Sequence, residues 1–259
     1  MLDSLVVKPG SAAGLHGRDP GDKLGLDGKK EAAEQLQELV EELGDLQERL
    51  FAEGTRSVLL VLQGLDASGK DGTIKHVFTG INPQGCRVSS FKAPTPVELA
   101  HDFLWRVHAQ CPERGTIGIF NRSHYEDIVT VRVLGLAPGS VWRPRARRVV
   151  EFERLLSDEG TTVVKCFLHV SAEEQSERFA ERLSDPTKTW KFNPKDEDTH
   201  ARYDEYIDAY EDALTRTSSA HAPWYVIPAD RNWVRNLAVS TALVEALRQL
   251  DPQYPSREG

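Results

Sequence analysis

The 259-residue chain contains only three cysteines and has no long apolar segment. Cys86, Cys111 and Cys166 are widely separated and include no C-x-x-C pair, which argues against a disulfide framework or a zinc site. No segment approaches the roughly 20 consecutive apolar residues of a membrane-spanning helix. The N-terminus also lacks the basic region with which a signal peptide begins. We therefore expect a cytoplasmic protein with free thiols and no membrane partner.

Positively charged residues are outnumbered, since 32 Lys and Arg stand against 40 Asp and Glu, and the formal net charge is −8. An acidic chain argues against general nucleic-acid binding. The positive charge is nevertheless locally concentrated. Only Glu126 and Asp127 oppose a run of six arginines, which are Arg122, Arg132, Arg143, Arg145, Arg147 and Arg148. A basic region on an acidic protein can attract a polyanion to one place. We expect a polyanionic ligand that is not a nucleic acid.

The hydrophobic pattern indicates a single α/β domain over residues 29–259, preceded by an extended arm over residues 1–28 that shows no periodicity. Apolar residues at three- and four-residue spacing predict a helix over Lys30–Phe51. Five apolar, β-rich runs follow, namely Val58–Leu62, Arg87–Phe91, Thr116–Phe120, Thr161–Val170 and Trp224–Ile227. Helical patterns such as Val97–Gln110 and Arg143–Ser157 separate most of these runs. The alternation predicts a five-stranded parallel sheet sandwiched by helices.

A long, charged and mostly helical segment, about residues 171–217, stands between the fourth and fifth predicted strands. It is interrupted at "SDPTKTWKFNPKDED". A helical insertion at this place in an α/β domain predicts a movable lid.

The stretch "VLLVLQGLDASGKDGTIKHV" contains the phosphate-binding pattern G-x-x-x-x-G-K between a buried strand and a helix. Backbone N–H groups and a lysine bind phosphate in such a loop, although a glycine-rich turn with an exposed lysine is the alternative. The candidate phosphate-binding residues here are Gly64, Ala67, Ser68, Gly69, Lys70, Asp71, Gly72, Thr73 and Lys75.

Asp71 occupies the position where this pattern normally has a Ser or Thr that holds magnesium, and Asp66 lies inside the loop. Carboxylates are hard oxygen ligands that suit Mg²⁺, so we expect Asp66, Asp71 and Asp127 to bind metal. The alternative for Asp71 is an acid that only complements the dipole of the following helix.

A second motif, "TIGIFNRSHYEDIV", follows the third predicted strand. Ligands of open α/β sheets lie at the carboxyl ends of the strands, so residues just after Phe120 should project into the site. Arg122 could clamp a transferring phosphoryl group, and Asp127 could hold a metal or a nucleotide. We expect Asn121 and Glu126 to bind the nucleotide. The alternative is a capped helix start with a surface salt bridge.

Two further basic regions are candidates for binding phosphate. "VWRPRARRVVEFERLL" has four arginines within six residues and could continue a phosphate-lined path from Arg132, or be a solvated face. In the predicted lid, Arg178 and Arg182 share one helix face. Lys188, Trp190, Lys191 and Asn193 follow and could close over a nucleotide or a phosphate chain. The alternative is an amphipathic hairpin with Trp190 in the core.

The chain lacks a Gly-x-Ser-x-Gly nucleophile motif, and its histidines lack metal-ligand spacing. Transfer of a phosphoryl group to a phosphate acceptor needs neither, because the acceptor oxygen is already anionic. Positioning and charge neutralisation then carry most of the catalysis.

Four ordered motifs, "GLDASGKDG", "FNRSHYEDI", "RFAERLSDPTKTWKFNP" and "HAPWYVIPADRNW", together resemble the second polyphosphate kinase family over about residues 30–250. The resemblance implies a P-loop kinase fold like that of thymidylate kinase, with a helical lid. It implies reversible transfer of the terminal phosphoryl group of inorganic polyphosphate to AMP and ADP, giving ADP and ATP. It also implies dependence on Mg²⁺ or Mn²⁺ and assembly as a homodimer or homotetramer.

The same resemblance assigns roles to individual residues. It makes Asp66 the magnesium-binding acid, Lys70 the phosphate-binding lysine, Arg122 a catalytic arginine and Asp127 a metal-side or nucleotide-side acid. The basic lid residues that match are Arg178, Arg182, Lys188 and Lys191. Many relatives have Asp where Asn121 stands, so Asp66 and Asp127 should compensate. The residues leave two other functions open: an ATP-dependent nucleotide kinase and a non-catalytic regulator that binds nucleotide or polyphosphate.

Overall fold

A computed structural model describes residues 1–187, 189 and 195–256 of the chain. Its strands are β1 Val6–Val7, β2 Ser57–Gln63, β3 Cys86–Ser90, β4 Ile117–Asn121, β5 Thr161–His169 and β6 Trp224–Pro228. Its α-helices are α1 Leu2–Leu5, α2 Lys29–Glu53, α3 Lys70–Val77, α4 Pro96–Leu99, α5 Trp105–His108, α6 Val129–Val133, α7 Gly139–Trp142, α8 Arg145–Asp158, α9 Ala172–Ser184, α10 Lys195–Ala201, α11 Tyr203–Thr217 and α12 Asn232–Leu250. Short 3₁₀ helices span Leu15–Gly17, Pro83–Gly85 and His124–Asp127.

The strands form one mixed sheet in the order β1-β6-β5-β2-β4-β3. Strands β2 to β6 are parallel and correspond to the five predicted strands, so the predicted α/β class is confirmed. The predicted count of five is wrong. A sixth strand, β1, comes from the N-terminal arm and pairs antiparallel with β6, Val6 lying opposite Tyr225. Two residues are too short for a periodicity signal, and their partner is more than 200 residues away in the sequence.

The central strand β2 is buried along its whole length, between β5 and β4. A parallel strand that is covered on both faces needs a continuous apolar run, and Val58–Leu62 supplies it. Leu62 lies opposite Asn121 of β4 in the parallel register. The loops that follow β2 and β4 therefore leave the sheet side by side at its carboxyl edge.

The helix predicted over Lys30–Phe51 is confirmed as α2, which ends at the left-handed Gly54. The single helix predicted over Val97–Gln110 is wrong. Helix α4 starts with a capping box between Thr95 and Glu98, and the chain then leaves the helix. The Asp102 carboxylate accepts the N–H of Leu104 at 3.0 Å, a local turn that competes with helix continuation before α5.

The segment predicted as a lid contains α9, α10 and α11. Seven residues of α11 are buried, among them Tyr206, Tyr210 and Leu214. Helix α11 therefore belongs to the core of the domain, and movement of the rest of the segment stays a prediction.

The N-terminal arm lies against the domain rather than away from it. Leu5, Val7 and Leu15 are buried in the main core cluster. The N–H groups of Gly14 and Leu15 donate to the Glu211 carboxylate of α11 at 2.9 and 2.6 Å. The arm is thus joined to α11 by polar contacts and to β6 by the pairing of β1.

None of the helices in the described part of the chain is long and apolar enough to cross a membrane. All three cysteines lie in described segments, and none of them forms a disulfide.

Candidate active site

The loop between β2 and α3 reverses direction by means of several left-handed residues. Gly64, Ala67 and Gly69 have φ values of 149°, 63° and 97°. A Cβ on Gly64 would lie 2.7 Å from the carbonyl oxygen of Leu168, so the loop passes too close to β5 for any side chain there. The first N–H of this region to bond within α3 is that of Thr73, to Gly69 O at 2.9 Å. The N–H groups of Lys70, Asp71 and Gly72 precede that ladder, where anions bind.

The carbonyl groups of this loop face cationic side chains. Lys70 Nζ donates to Gly64 O at 2.8 Å and to Leu65 O at 3.0 Å. Arg178 Nη1 donates to Ala67 O at 2.8 Å, and Arg235 Nη1 donates to Ser68 O at 3.4 Å. Within the loop, Ser68 N–H donates to Leu65 O at 3.2 Å, so the N–H groups that precede the α3 ladder are the ones placed to bind an anion. The strand–loop–helix order is the one expected of a P-loop, and phosphate binding by this loop stays a prediction.

Lys70 is buried, and this burial is the largest influence on its ammonium group. It lowers the pKa of Lys70 to about 8, and the neighbouring Arg122 acts in the same direction. The carboxylates of Asp66, Glu126 and Asp71 partly offset this. These five charged groups act on one another, so they form a single electrostatic cluster.

Arg122 joins the two predicted motifs. It directly follows β4 with a positive φ of 61°, and its N–H donates to Leu62 O of β2 at 3.1 Å. Its guanidinium is paired with Asp66 and lies 3.4 Å from Glu126 Oε2. The Glu126 carboxylate is the main reason that the pKa of Arg122 is raised. Asn121 Nδ2 donates to Asp71 Oδ1 at 2.7 Å, which is a second link between the motifs.

Asp127 lies in a different arrangement. Its carboxylate is 3.3 Å from Arg106 Nη2 and 3.4 Å from Arg145 Nη1. Burial raises the pKa of Asp127, and the two arginines oppose that shift. Within the described residues, no three His, Cys, Asp or Glu side chains are grouped closely enough to hold a metal ion, so Asp127 does not join Asp66 and Asp71. The metal role of Asp127 stays a prediction that its contacts do not favour.

The other predicted phosphate-binding residues are dispersed. Arg178 braces the loop from α9, and it also donates to Ala229 O at 2.7 Å and Asp230 O at 2.9 Å. Arg182 lies over the ring of Phe179, and Lys75 is on the exposed side of α3. Lys188, Trp190, Lys191 and Asn193 lie outside the described residues, and their roles stay predictions.

The arginine-rich region is divided among several partners. Arg132 lies 3.4 Å from Asp212 Oδ2, and both Arg132 and Arg143 stack on the ring of Trp142. Arg145 points to Asp127, whereas Arg147 pairs with Glu151 at 3.3 Å on the surface of α8. Only part of the region therefore lies next to the second motif.

Three residues at the site were missed by sequence reasoning. Arg106 pairs with Asp127, and Arg235 contacts the P-loop. Gln175 Nε2 donates to Asp66 O at 3.0 Å. Arg235 had a weak signal, because it follows the quoted motif "HAPWYVIPADRNW" by two residues. Arg106 and Gln175 lie within ordinary helical patterns that mark neither of them.

Comparisons with known proteins cover nearly the whole chain. The family model described as Polyphosphate kinase 2 matches residues 26–255. An AMP/ADP-polyphosphate phosphotransferase of Meiothermus ruber is 53% identical over 253 residues, covering 97% of this chain and 95% of the relative. An ADP-polyphosphate phosphotransferase of Rhodopseudomonas palustris is 45% identical over 239 residues, covering 88% and 83%.

A solved structure, polyphosphate kinase 2 from Arthrobacter aurescens TC1, superposes with a TM-score of 0.95 at 40% identity. The match covers 99% of this chain and 92% of the solved one. The anion-binding loop, the arginine beside it and these similarities over nearly the whole chain lead to one conclusion: the chain belongs to the polyphosphate kinase 2 family.

Proposed function

We propose that this protein transfers the terminal phosphoryl group of inorganic polyphosphate to AMP and ADP, giving ADP and ATP, in a reversible reaction. The observation that carries the proposal is the cluster at the carboxyl edge of the sheet. There Lys70 and Arg122 meet beside a loop whose carbonyl groups face cations. The relative at 53% identity has the printed name AMP/ADP-polyphosphate phosphotransferase, which supports both acceptors.

The side chains of the cluster suit phosphoryl transfer between two anions. The attacking oxygen of AMP or ADP is already ionised, so no general base is required. Lys70 and the N–H groups at the start of α3 neutralise and orient the transferring phosphates. Arg122 is held by Asp66 and Glu126, and a phosphate oxygen could replace either carboxylate as its partner. Arg122 would then stabilise the charge that develops during transfer.

The acids of the cluster fit a magnesium ion. Asp66 and Asp71 provide carboxylate oxygens, and Asn121, which bonds to Asp71 through its amide nitrogen, has an amide oxygen nearby. Mg²⁺ commonly takes one or two protein carboxylates and completes its shell with water and substrate phosphates, so a three-residue cage is not needed. When bound, Mg²⁺ or Mn²⁺ would neutralise phosphate charge.

We further propose a P-loop kinase fold like that of thymidylate kinase. The central β2, the anion-binding loop and α3 follow one another in the order which that fold requires. The segment from α9 to α10 would act as its lid. A homodimer or homotetramer is proposed from the family resemblance alone.

The first test uses purified protein, Mg²⁺, long-chain polyphosphate and AMP, with ADP and ATP separated by chromatography. We expect both products from the wild-type protein and none from Lys70→Ala. Lys30→Ala is the control, because Lys30 is a lysine of α2 whose side chain is 93% exposed and which belongs to none of the predicted sites.

A parallel reaction supplies ATP and AMP without polyphosphate. Production of ADP there, with no reaction from polyphosphate, would identify an ATP-dependent nucleotide kinase instead. Reaction with ADP but not AMP would keep the donor assignment and remove AMP as an acceptor. Binding of polyphosphate without turnover would indicate a regulator.

A further inference from the structure

Arg235 of α12 is a buried cation behind the P-loop, and its residue surface is only 2% exposed. Its guanidinium donates to Asn232 Oδ1 at 2.6 Å, to Asn236 Oδ1 at 2.9 Å and to Ser68 O at 3.4 Å. All three acceptors are uncharged. Among the described residues, no carboxylate lies within ion-pairing distance of Arg235.

The guanidinium fills the space left by two glycines of the phosphate-binding motif. A Cβ on Gly69 would lie 1.8 Å from Arg235 Nη1, and one on Gly72 would lie 3.2 Å from Nη2. The loop and the first turn of α3 are thus folded directly over the guanidinium. Gly69 is needed for this approach as well as for its positive φ of 97°.

A buried charge without a fixed counter-charge is unfavourable, which makes Arg235 unusual. Burial, together with the nearby Arg178, lowers the pKa of Arg235 to about 9. A neutral side chain could satisfy the same amide and carbonyl acceptors without this desolvation. The charge becomes favourable when an anion lies on the other side of the loop, because interactions across a dry, low-dielectric layer are strong.

We infer that Arg235 is a positioning residue of the phosphate site. It holds the Ser68 carbonyl inward and supplies a positive charge whose counter-ion is a phosphate group bound in the P-loop. The inference deepens the proposed function and rests on it for the identity of the phosphate. The binding of an inorganic phosphate chain tests it independently of turnover.

The experiment compares Arg235→Gln and Arg235→Lys with the wild-type protein. The control is Arg248→Gln, which removes a charge from the same helix at an exposed arginine paired with Glu42 at 2.6 Å. Isothermal titration calorimetry measures the Kd of inorganic tripolyphosphate at low and high salt. Thermal unfolding with and without tripolyphosphate reports whether each variant is folded.

We expect Arg235→Gln to raise the Kd about tenfold or more at low salt, since one nearby charge is lost. Arg235→Lys keeps the charge but lacks the guanidinium fork, so its Kd should rise clearly less than that of Arg235→Gln, whereas Arg248→Gln should stay within about threefold of the wild type. The Tm of Arg235→Gln without ligand should be close to that of the wild type. Its rise on adding tripolyphosphate should be smaller.

Unchanged affinity in Arg235→Gln would overturn the inference. Equal losses in the Gln and Lys variants would also overturn it, because they would indicate a purely geometric role. A large fall in Tm that accounts for the lost binding would do the same. If the wild type binds tripolyphosphate yet transfers no phosphoryl group, the proposed function fails while Arg235 is still tested. If turnover occurs, Arg235→Gln should raise KM for polyphosphate and change kcat little, as expected for uniform binding.

Discussion

Two buried cations, Lys165 of β5 and Arg235 of α12, differ in whether a carboxylate is bonded to them. Lys165 of β5 is fully buried and donates to Glu153 Oε2 at 2.7 Å, to Tyr125 Oη at 3.0 Å and to Thr217 O at 2.8 Å. Arg235 is almost as deeply buried, but its acceptors are amide and carbonyl oxygens. Lys165 is therefore balanced inside the protein, whereas the charge of Arg235 remains available to a ligand.

The presence or absence of a carboxylate partner separates charges that stabilise the fold from charges that serve the site. A balanced buried pair should affect stability when it is broken and should leave ligand affinity unchanged. Removing a cation beside the P-loop should weaken ligand affinity and leave stability nearly unchanged.

Replacing the loop lysine should have the largest effect. We expect Lys70→Ala to reduce polyphosphate-dependent ATP formation by about a thousandfold, because the variant lacks the charge that neutralises the transferring phosphates. Its Tm should change little, since Lys70 has carbonyl partners and no bound carboxylate. Steady-state kinetics and thermal unfolding test this. A folded Lys70→Ala enzyme with more than a tenth of wild-type activity would contradict the assignment.

Removing the balanced cation should affect stability instead. Lys165→Met leaves Glu153 buried without its partner, and we expect the free energy of unfolding to fall by about 3–5 kcal/mol. Activity per folded molecule should stay within about twofold of the wild type. The double variant Lys165→Met/Glu153→Leu should recover much of the stability. A higher KM for polyphosphate at unchanged stability would place Lys165 in the site and erase the contrast.

The Asp66 carboxylate should have an intermediate effect. We expect Asp66→Asn to raise the Mg²⁺ concentration needed for half-maximal activity by about tenfold, and Asp127→Asn to raise it far less. Asp127 is paired with Arg106 and Arg145, so its loss should appear mainly in Tm. Activity titrated against Mg²⁺ measures both. Full activity of Asp66→Asn at limiting Mg²⁺ would remove Asp66 from the metal site.

The smallest effect concerns acid stability. Burial alone would raise the pKa of Glu153, but Lys165 and His124 more than offset this and hold the pKa below the ordinary value of a glutamate. A lowered carboxyl pKa stabilises the fold at higher pH, and this contribution is lost as pH falls through the folded-state value.

The difference in unfolding free energy between wild type and Glu153→Gln should therefore be constant well above the ordinary glutamate pKa of about 4.3 and shrink as the pH falls below it. Urea unfolding across this range measures it. A difference that grows on acidification would mean that Glu153 is protonated in the native protein.

Local patterns were sufficient to predict most of the fold. The five parallel strands were predicted because each is a short apolar run bounded by loop residues. The Val97–Gln110 pattern was misleading because the Asp102 turn competes with a continuous helix. Strand β1 was not predicted because its pairing with β6 depends on contacts between residues that are far apart in the sequence.

The candidate site was only partly predictable. Arg122 lies near Lys70 of the P-loop because parallel β2 and β4 end at the same edge of the sheet. The pairing of Asp127 with Arg106 and the position of Arg235 behind Gly69 depend on how α5 and α12 pack. Nothing in the residues adjacent to these side chains encodes such contacts.

The α/β class, the predicted P-loop and the set of charged residues around it can be read from the chain's own residues. These features depend on periodicity and on the spacing of neighbouring residues along the chain. Which charges are balanced and which face the site depends on the three-dimensional packing. A charge's role depends on the distance to its counter-charge and on burial, and for Lys165 and Arg235 both are set by packing between segments far apart in sequence.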